Sequence, residues 1–397
     1  MNIIKRFSLI VILTLILSGC VRLRHAVPPD MLSSARVFGM QDIRAFSGSP
    51  SDAFKKDFIK LLEQEEREKS FFDANSKRTF YMLAISGGAA DGAYGAGILS
   101  GWTKSGKRPS FKIVTGISTG AIIAPMAFLG SEYDDTLKEF YTKYSTSDII
   151  SLRIPFVNSF VNTRPLERLI ERYFDEKLLQ EIAAEYKKGR RLYVGTTNLD
   201  AQRLVIWDMG KIASMGDKQA LKLFRKIILA SSSIPVAFPP VYLNVEVNDK
   251  SYDEMHVDGG VTKQVFFIYD VMQGFSKAVK EKGIKPFKIK YAIYIIRNGY
   301  IDPLYKEIPD RLSAIAQRTL DTTVNAQSLG DLYQIYIFTK YGHGDFNLAY
   351  IPSTYVSKAT ELFDTVEMQR LFDLGFSEAQ GGYLWKKVPP GLGEAGK

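Results

Sequence analysis

An α/β architecture with a mostly parallel central sheet is predicted by three observations. Short apolar segments of strand length alternate with segments of helical period along most of the chain. Two of those strand-like segments run straight into glycine-containing turns that open helices. No segment beyond the N-terminal leader holds about eighteen uninterrupted apolar residues, so nothing there reads as a membrane span.

The leader comes first. Lys5 and Arg6 precede a short apolar stretch from Phe7 to Ile16, and Leu17-Ser18-Gly19-Cys20 follows. The stretch is too short to span a bilayer and suits a signal segment. Leu-Ser-Gly-Cys resembles the lipobox of bacterial lipoproteins. The resemblance implies cleavage after residue 19 and acylation of Cys20, the single cysteine of the 397-residue chain. With Val21 next, it implies a bacterial cell-envelope protein held on the outer membrane. More than one acyl chain would make that attachment durable.

Residues 21–50 are rich in Pro, Ser and Arg and read as a tether. Phe54, Phe58, Leu61 and Leu62 then recur at helical spacing before the charged run Glu63 to Lys69, which predicts an amphipathic surface helix docked on its own domain. The strand candidates are Thr79–Ser86, Phe111–Thr115, Arg191–Thr197, Leu204–Asp208, Val241–Val245 and Lys288–Ile296. Helical patterns occupy about 133–144, 164–185, 217–231, 308–340 and 362–375. The organisation expected is a signal segment at 1–19, a lipid-anchored tether and surface helix at 20–75, a main domain at 76–385 and a disordered tail at 386–397.

Composition excludes some classes. Hydrophobic content of 46% and charged content of 24% are ordinary for a globular protein. The net charge of +9 becomes +7 without Lys5 and Arg6. That mild excess suits an anionic membrane surface or simply a solvated, slightly basic one, and no dense basic block or nucleic-acid motif is present. One cysteine permits no intrachain disulfide. No metal-ligand pattern appears, and neither a metal nor another cofactor is expected.

Three motifs carry chemistry. Gly116-Ile117-Ser118-Thr119-Gly120 lies between a strand and a helix candidate. A nucleophile elbow requires that context, with the serine on a tight turn and Gly116 and Gly120 allowing close backbone approach. A helix-capping Ser118 or Thr119 would look the same locally. Ser86-Gly87-Gly88-Ala89-Ala90-Asp91-Gly92 also follows a strand and precedes a helix. Its successive N–H groups suit an anion, whether a phosphate or an oxyanion, and equally a packing turn. Asp258-Gly259-Gly260 places a carboxylate where two glycines permit close approach, or simply makes a turn.

Together, in this order, the three resemble the patatin-like phospholipase family. Ala93-Tyr94-Gly95-Ala96-Gly97-Ile98-Leu99 adds to the resemblance, as does Ala230-Ser231-Ser232-Ser233-Ile234-Pro235 through Phe238-Pro239-Pro240. It covers residues 79–262 strongly and 285–385 weakly. It implies a three-layer α/β/α domain and a lipid acyl hydrolase working through an acyl-enzyme. Ser118 would be the nucleophile, Asp258 its base without a histidine between them, and the Gly87, Gly88 and Ala89 N–H groups the oxyanion hole. The partners implied are an acyl lipid substrate and, through acylated Cys20, a membrane. The oligomeric state is unreadable.

Two positions depart from the family pattern. Ala89 stands where a glycine is common and is tolerated only with a negative φ. Asp91 stands where a basic residue is common, which favours a neutral acylglycerol or lysolipid over a phospholipid. Of the apolar residues after the elbow, Ile122, Ile123, Pro125, Met126 and Phe128 suit an acyl pocket or, for most of them, the core.

Three histidines bear on the mechanism. His25 falls in the tether. His343 follows Ser118 and Asp258 in the chain order of an α/β-hydrolase triad, which keeps such a triad open. His256 shares the strand face of Asp258, where it would tune the base or pack. An acyltransferase would share the acyl-enzyme and differ only in its acceptor. A non-catalytic lipoprotein would keep the fold to bind lipid or a partner.

Overall fold

The computed structural model describes residues 24–69, 79–152, 161–235, 237–272 and 290–392. The signal segment and Cys20 lie outside the described residues. Two short N-terminal strands, β1 (Arg36–Val37) and β2 (Arg44–Phe46), precede helix α1 (Asp52–Lys69). Then come β3 (Thr79–Ile85), α2 (Gly92–Lys104), β4 (Ile113–Ile117) and α3 (Thr119–Leu129). They are followed by α4 (Asp134–Lys143), α5 (Thr146–Ile149), the small pair β5 (Ser151–Leu152) and β6 (Val161–Asn162), α6 (Arg164–Tyr173) and α7 (Glu176–Lys187). The chain continues through β7 (Arg191–Asn198), β8 (Arg203–Asp208), α8 (Met209–Ala213), α9 (Lys218–Ser231), β9 (Val241–Val247) and β10 (Lys250–Asp258). It ends with β11 (Lys290–Arg297), α10 (Leu312–Tyr341), β12 (Asp345–Tyr350) and α11 (Thr365–Gln380).

One ten-stranded sheet organises these elements, in the order β1-β9-β10-β7-β4-β3-β11-β12, with β8 and β2 branching from β7. The middle of it, β7-β4-β3-β11-β12, is parallel, and the β9, β10, β8 and β2 strands pair antiparallel. Every residue of β4 is buried, as a central strand covered on both faces requires. Helices α2, α3, α4, α9 and α11 bury one face of the sheet, and α1 and α10 the other. The domain is a three-layer α/β/α structure with a mostly parallel mixed sheet. Several helices begin at aspartate caps, among them Asp217, whose carboxylate accepts the Ala220 N–H at 2.7 Å.

Parallel order fixes where chemistry can occur. Strands β3, β4 and β11 run the same way, so their carboxyl ends share one edge of the sheet. The glycine-rich turn, Ser118 and Asn298 follow those three ends in turn. Ligand sites of open parallel sheets form at that edge.

The tether expectation fails where it can be inspected. Val27, Val37, Met40, Ile43 and Ala45 are buried, β1 adds to β9, and β2 adds to β8. Arg44 makes two hydrogen bonds to the buried Glu254, at 2.5 and 2.9 Å. His25 stacks on Tyr252 with ring centroids 4.4 Å apart. Residues 24–50 are therefore part of the domain, because strand addition gives their backbone groups partners that a tether would leave to water. Helix α1 docks as expected, burying Phe54, Leu61 and Leu62. The disordered-tail expectation fails over 386–392: Lys386 bridges Leu348, and Pro390 accepts a 2.7 Å hydrogen bond from the Tyr333 hydroxyl. Among the described residues no helix is long and apolar enough to cross a membrane.

Candidate active site

The turn between β4 and α3 is strained at Ser118. Its φ of 56° and ψ of −124° lie in a region that non-glycine residues avoid. The flanking glycines make the turn possible. A Cβ on Gly116 would sit 2.2 Å from the Gly120 carbonyl oxygen, and one on Gly120 would sit 2.3 Å from that of Ile85. The chain holds the strain with hydrogen bonds. The Ser118 N–H donates to the Ser231 hydroxyl at 2.9 Å, and that hydroxyl donates to the Gly195 carbonyl at 2.7 Å. The serine at the C-terminal end of α9 thus fastens the elbow.

Asp258 ends β10, beside Thr196 of β7. Its carboxylate accepts a 2.7 Å hydrogen bond from the Gly260 N–H and lies near enough to Ser118 for that side chain to pull its titration down. Burial pushes its carboxyl up to about 7, against the pull of Ser118 and the Gly260 N–H. The structure therefore brings Ser118 and Asp258 together, with the aspartate titrating where a base for a hydroxyl is useful.

The glycine turn lies against the nucleophile. A Cβ on Gly87 would stand 3.1 Å from the Ser118 Cβ. The Gly87 N–H is taken by the Gln264 carbonyl at 3.2 Å, which removes it from the expected oxyanion set. Among the described residues the Gly88 and Ala89 N–H groups donate to no protein acceptor. Gly88 has a φ of 158° and packs so tightly on Asn298 that a Cβ would lie 2.0 Å from its carbonyl oxygen. Ala89 has a φ of 48°, not the negative value expected. Alanine there bears the strain of a left-handed residue.

A cavity of about 40 Å³ opens at Ser118, lined by Ala89, Ile122, Phe140, Phe238, Phe363 and Met368 among others. Its walls are almost wholly apolar. Of the pocket residues expected after the elbow, Ile122 reaches it, while Ile123, Met126 and Phe128 are core. Asp91, two residues after Ala89, is half-buried; desolvation raises its carboxyl, the Arg297 charge opposes that, and Glu367 adds to it.

The histidines separate cleanly. His343 is exposed in the turn between α10 and β12, and β12 starts at the opposite edge of the sheet from Ser118. A Ser118–Asp258–His343 triad is excluded. His256 is buried and bonded to Thr196 at 2.9 Å and Glu254 at 3.0 Å. It belongs to a structural cluster with Arg44 and Trp207 and makes no hydrogen bond to Asp258 among the described residues. No group of three or more His, Cys, Asp or Glu among them could hold a metal ion.

Sequence reasoning missed Ser231, Gln264, Arg297 and Asn298. Arg297-Asn298-Gly299 ends an apolar strand candidate with a charged and a polar residue. At the carboxyl edge of a parallel sheet that combination was the available signal.

Comparison with known proteins gives one family. The family model described as patatin-like phospholipase matches residues 83–269. No curated protein matches the chain. Among solved structures, VipD from Legionella pneumophila aligns with 12% identity and a TM-score of 0.34, covering 76% of this chain and 67% of its own. The type III effector protein ExoU aligns with 14% identity and a TM-score of 0.22, covering 76% of this chain, which spans about half (52%) of that protein. Scores this low carry no inference about this chain.

Proposed function

We propose that this chain, which carries a patatin-like phospholipase domain over residues 83–269, hydrolyses acyl-lipid esters with a Ser118–Asp258 pair. The observation that carries the reading is Ser118 on its strained elbow beside a buried carboxylate poised near neutrality, with no histidine between them among the described residues. Ser118 Oγ attacks the ester carbonyl while Asp258 takes its proton. The oxyanion meets the N–H groups of Gly88 and Ala89. Asp258 returns the proton to the departing alcohol. Water then attacks the acyl-enzyme, Asp258 accepts one of its protons, and the free acid leaves as Ser118 is reprotonated.

The apolar cavity at Ser118 suits the acyl side of the scissile bond. Asp91 stands where a basic residue could have met a lipid phosphate, which favours a neutral acylglycerol or a lysolipid over a phospholipid. Acylation of Cys20 would keep the domain on an outer membrane, next to such lipids.

Hydrolysis of short- and long-chain p-nitrophenyl esters tests the reading, with wild type, Ser118→Ala, Asp258→Asn and His343→Ala compared. Activity is lost in the first two variants and kept in the third. A folded wild type without activity on any of these esters would instead favour a non-catalytic lipid-binding role.

A further inference from the structure

Arg297 is buried at the end of β11, beneath the glycine turn, and its guanidinium serves none of the steps above. Its Nη1 donates to the carbonyls of Gly87 at 2.9 Å and Asn298 at 3.0 Å, and to Ser86 Oγ at 3.2 Å. Among the described residues its Nε has no hydrogen-bond partner. Among the described residues it hydrogen-bonds to no carboxylate. Burial lowers the guanidinium to about 10, which leaves it a cation at neutral pH, while Asp91 and Asp331 act on it only by longer-range attraction. A buried cation without a contacting anion is costly to keep, and that cost calls for a reason.

Chain geometry supplies one. The Gly87 carbonyl and the Gly88 N–H belong to the same trans peptide group, so they point in opposite directions. The carbonyl end is held by two donors, Arg297 and, at 2.7 Å, the Ser86 hydroxyl. Asn298 holds Ser86 in place through its own N–H and its Nδ2, both at 2.9 Å. The N–H end is the one left without a protein acceptor among the described residues. A cation on a peptide carbonyl polarises the whole group and strengthens the hydrogen bond that its N–H can donate.

The geometry points to Arg297 as the positioning residue of the oxyanion hole: it fixes and polarises the Gly87–Gly88 peptide so that the Gly88 N–H meets the developing negative charge. Its charge acts from the carbonyl side of that peptide, and among the described residues it contacts no carboxylate that would draw it off, Asp91 and Asp331 attracting it only at longer range. This also accounts for Asp91, since the loop takes its positive charge from β11 beneath it and has no need of one at that position. The inference rests on the hydrolase reading and adds to it one residue remote in sequence.

The test measures kcat and KM on a soluble p-nitrophenyl ester for wild type, Arg297→Met and Arg297→Lys, each checked by thermal melting. Loss of one direct oxyanion donor lowers kcat by about 10²–10³. Acting through the peptide, Arg297→Met is expected to lower kcat by about tenfold to a hundredfold with KM within about twofold, and Arg297→Lys, which keeps the charge, to recover part of that loss. An unchanged kcat in Arg297→Met overturns the inference. So does an equal loss in both variants accompanied by a raised KM. If Arg297→Met does not fold, Arg297→Lys decides: a partial loss in kcat alone supports the role, and wild-type or abolished activity overturns it. A wild type without Ser118-dependent hydrolysis overturns the hydrolase reading itself, which the Ser118→Ala control shows separately.

Discussion

The Ser231 hydroxyl accepts the Ser118 N–H at 2.9 Å and donates its own proton to the Gly195 carbonyl at 2.7 Å. One side chain thus ties the strained elbow after β4 to the neighbouring strand β7. Ser118 cannot relax out of its high-energy backbone conformation without breaking that link.

Ser231→Ala is therefore expected to destabilise the fold by about 1–3 kcal/mol, the cost of leaving a buried N–H and a buried carbonyl short of a partner. Ester hydrolysis falls with it, because the nucleophile loses its fixed position. Denaturant unfolding and a kcat measurement check both effects. Stability equal to wild type would show that the elbow is held by other contacts.

Asp258 makes a prediction in pH. Burial raises its carboxyl from the ordinary 3.8 to about 7, so the folded form binds a proton that the unfolded chain has released. Stability from this group is thus present at low pH and declines as pH rises from about 4 to about 7. Activity runs the other way, since only the carboxylate can take the Ser118 proton. The kcat/KM profile should rise through an apparent pKa near 7. Asp258→Asn should abolish activity while raising the melting temperature more at about pH 8 than at about pH 5. A flat stability difference across that range would contradict the assigned titration.

Gly88 and Ala89 respond in opposite senses. Gly88→Ala drives a Cβ to 2.0 Å from the Asn298 carbonyl oxygen and should destabilise strongly and silence hydrolysis. Ala89→Gly relieves a left-handed alanine, worth about 1–2 kcal/mol, against an entropy loss of about 0.4–1 kcal/mol. Its melting temperature should equal or exceed wild type, with activity retained. A clear fall in stability on Ala89→Gly would place the loop in another conformation.

Arg44 tests the docking of the N-terminal segment. It pairs with Glu254. Burial pushes the Glu254 carboxyl up, yet the Arg44 charge and the His256 hydrogen bond outweigh it and hold the group at about 2. Arg44→Ala leaves that carboxylate buried and uncompensated, at a cost of about 3–5 kcal/mol. The loss is largest above about pH 5, because a carboxylate with a lowered pKa contributes its stability there and forfeits it on acidification. A freely tethered segment would show no effect, and urea unfolding distinguishes the two.

Much of the fold was legible because its strands declare themselves. β3, β4, β7, β8 and β11 are apolar runs of strand length, and the elbow glycines mark the turn after β4. Ser118 and Asp258 stood out for the same reason, each beside glycines at a strand end. β1 and β2 did not: with two and three residues they carry no period, and only their edges with β9 and β8 make them strands. Arg297 was hidden because a charged residue at a strand end reads as surface, whereas the turn above it buries it. The tight packing of Gly88 and the engagement of the Gly87 N–H follow from contacts with Asn298 and Gln264, remote in the chain, which local reasoning cannot reach.

The most direct test of the central claim is labelling by a fluorophosphonate probe, with the modified residue located by mass spectrometry. The account predicts a single adduct on Ser118 in wild type, formed far more slowly in Asp258→Asn. No adduct, an adduct on another serine, or equal rates in the two proteins would contradict it.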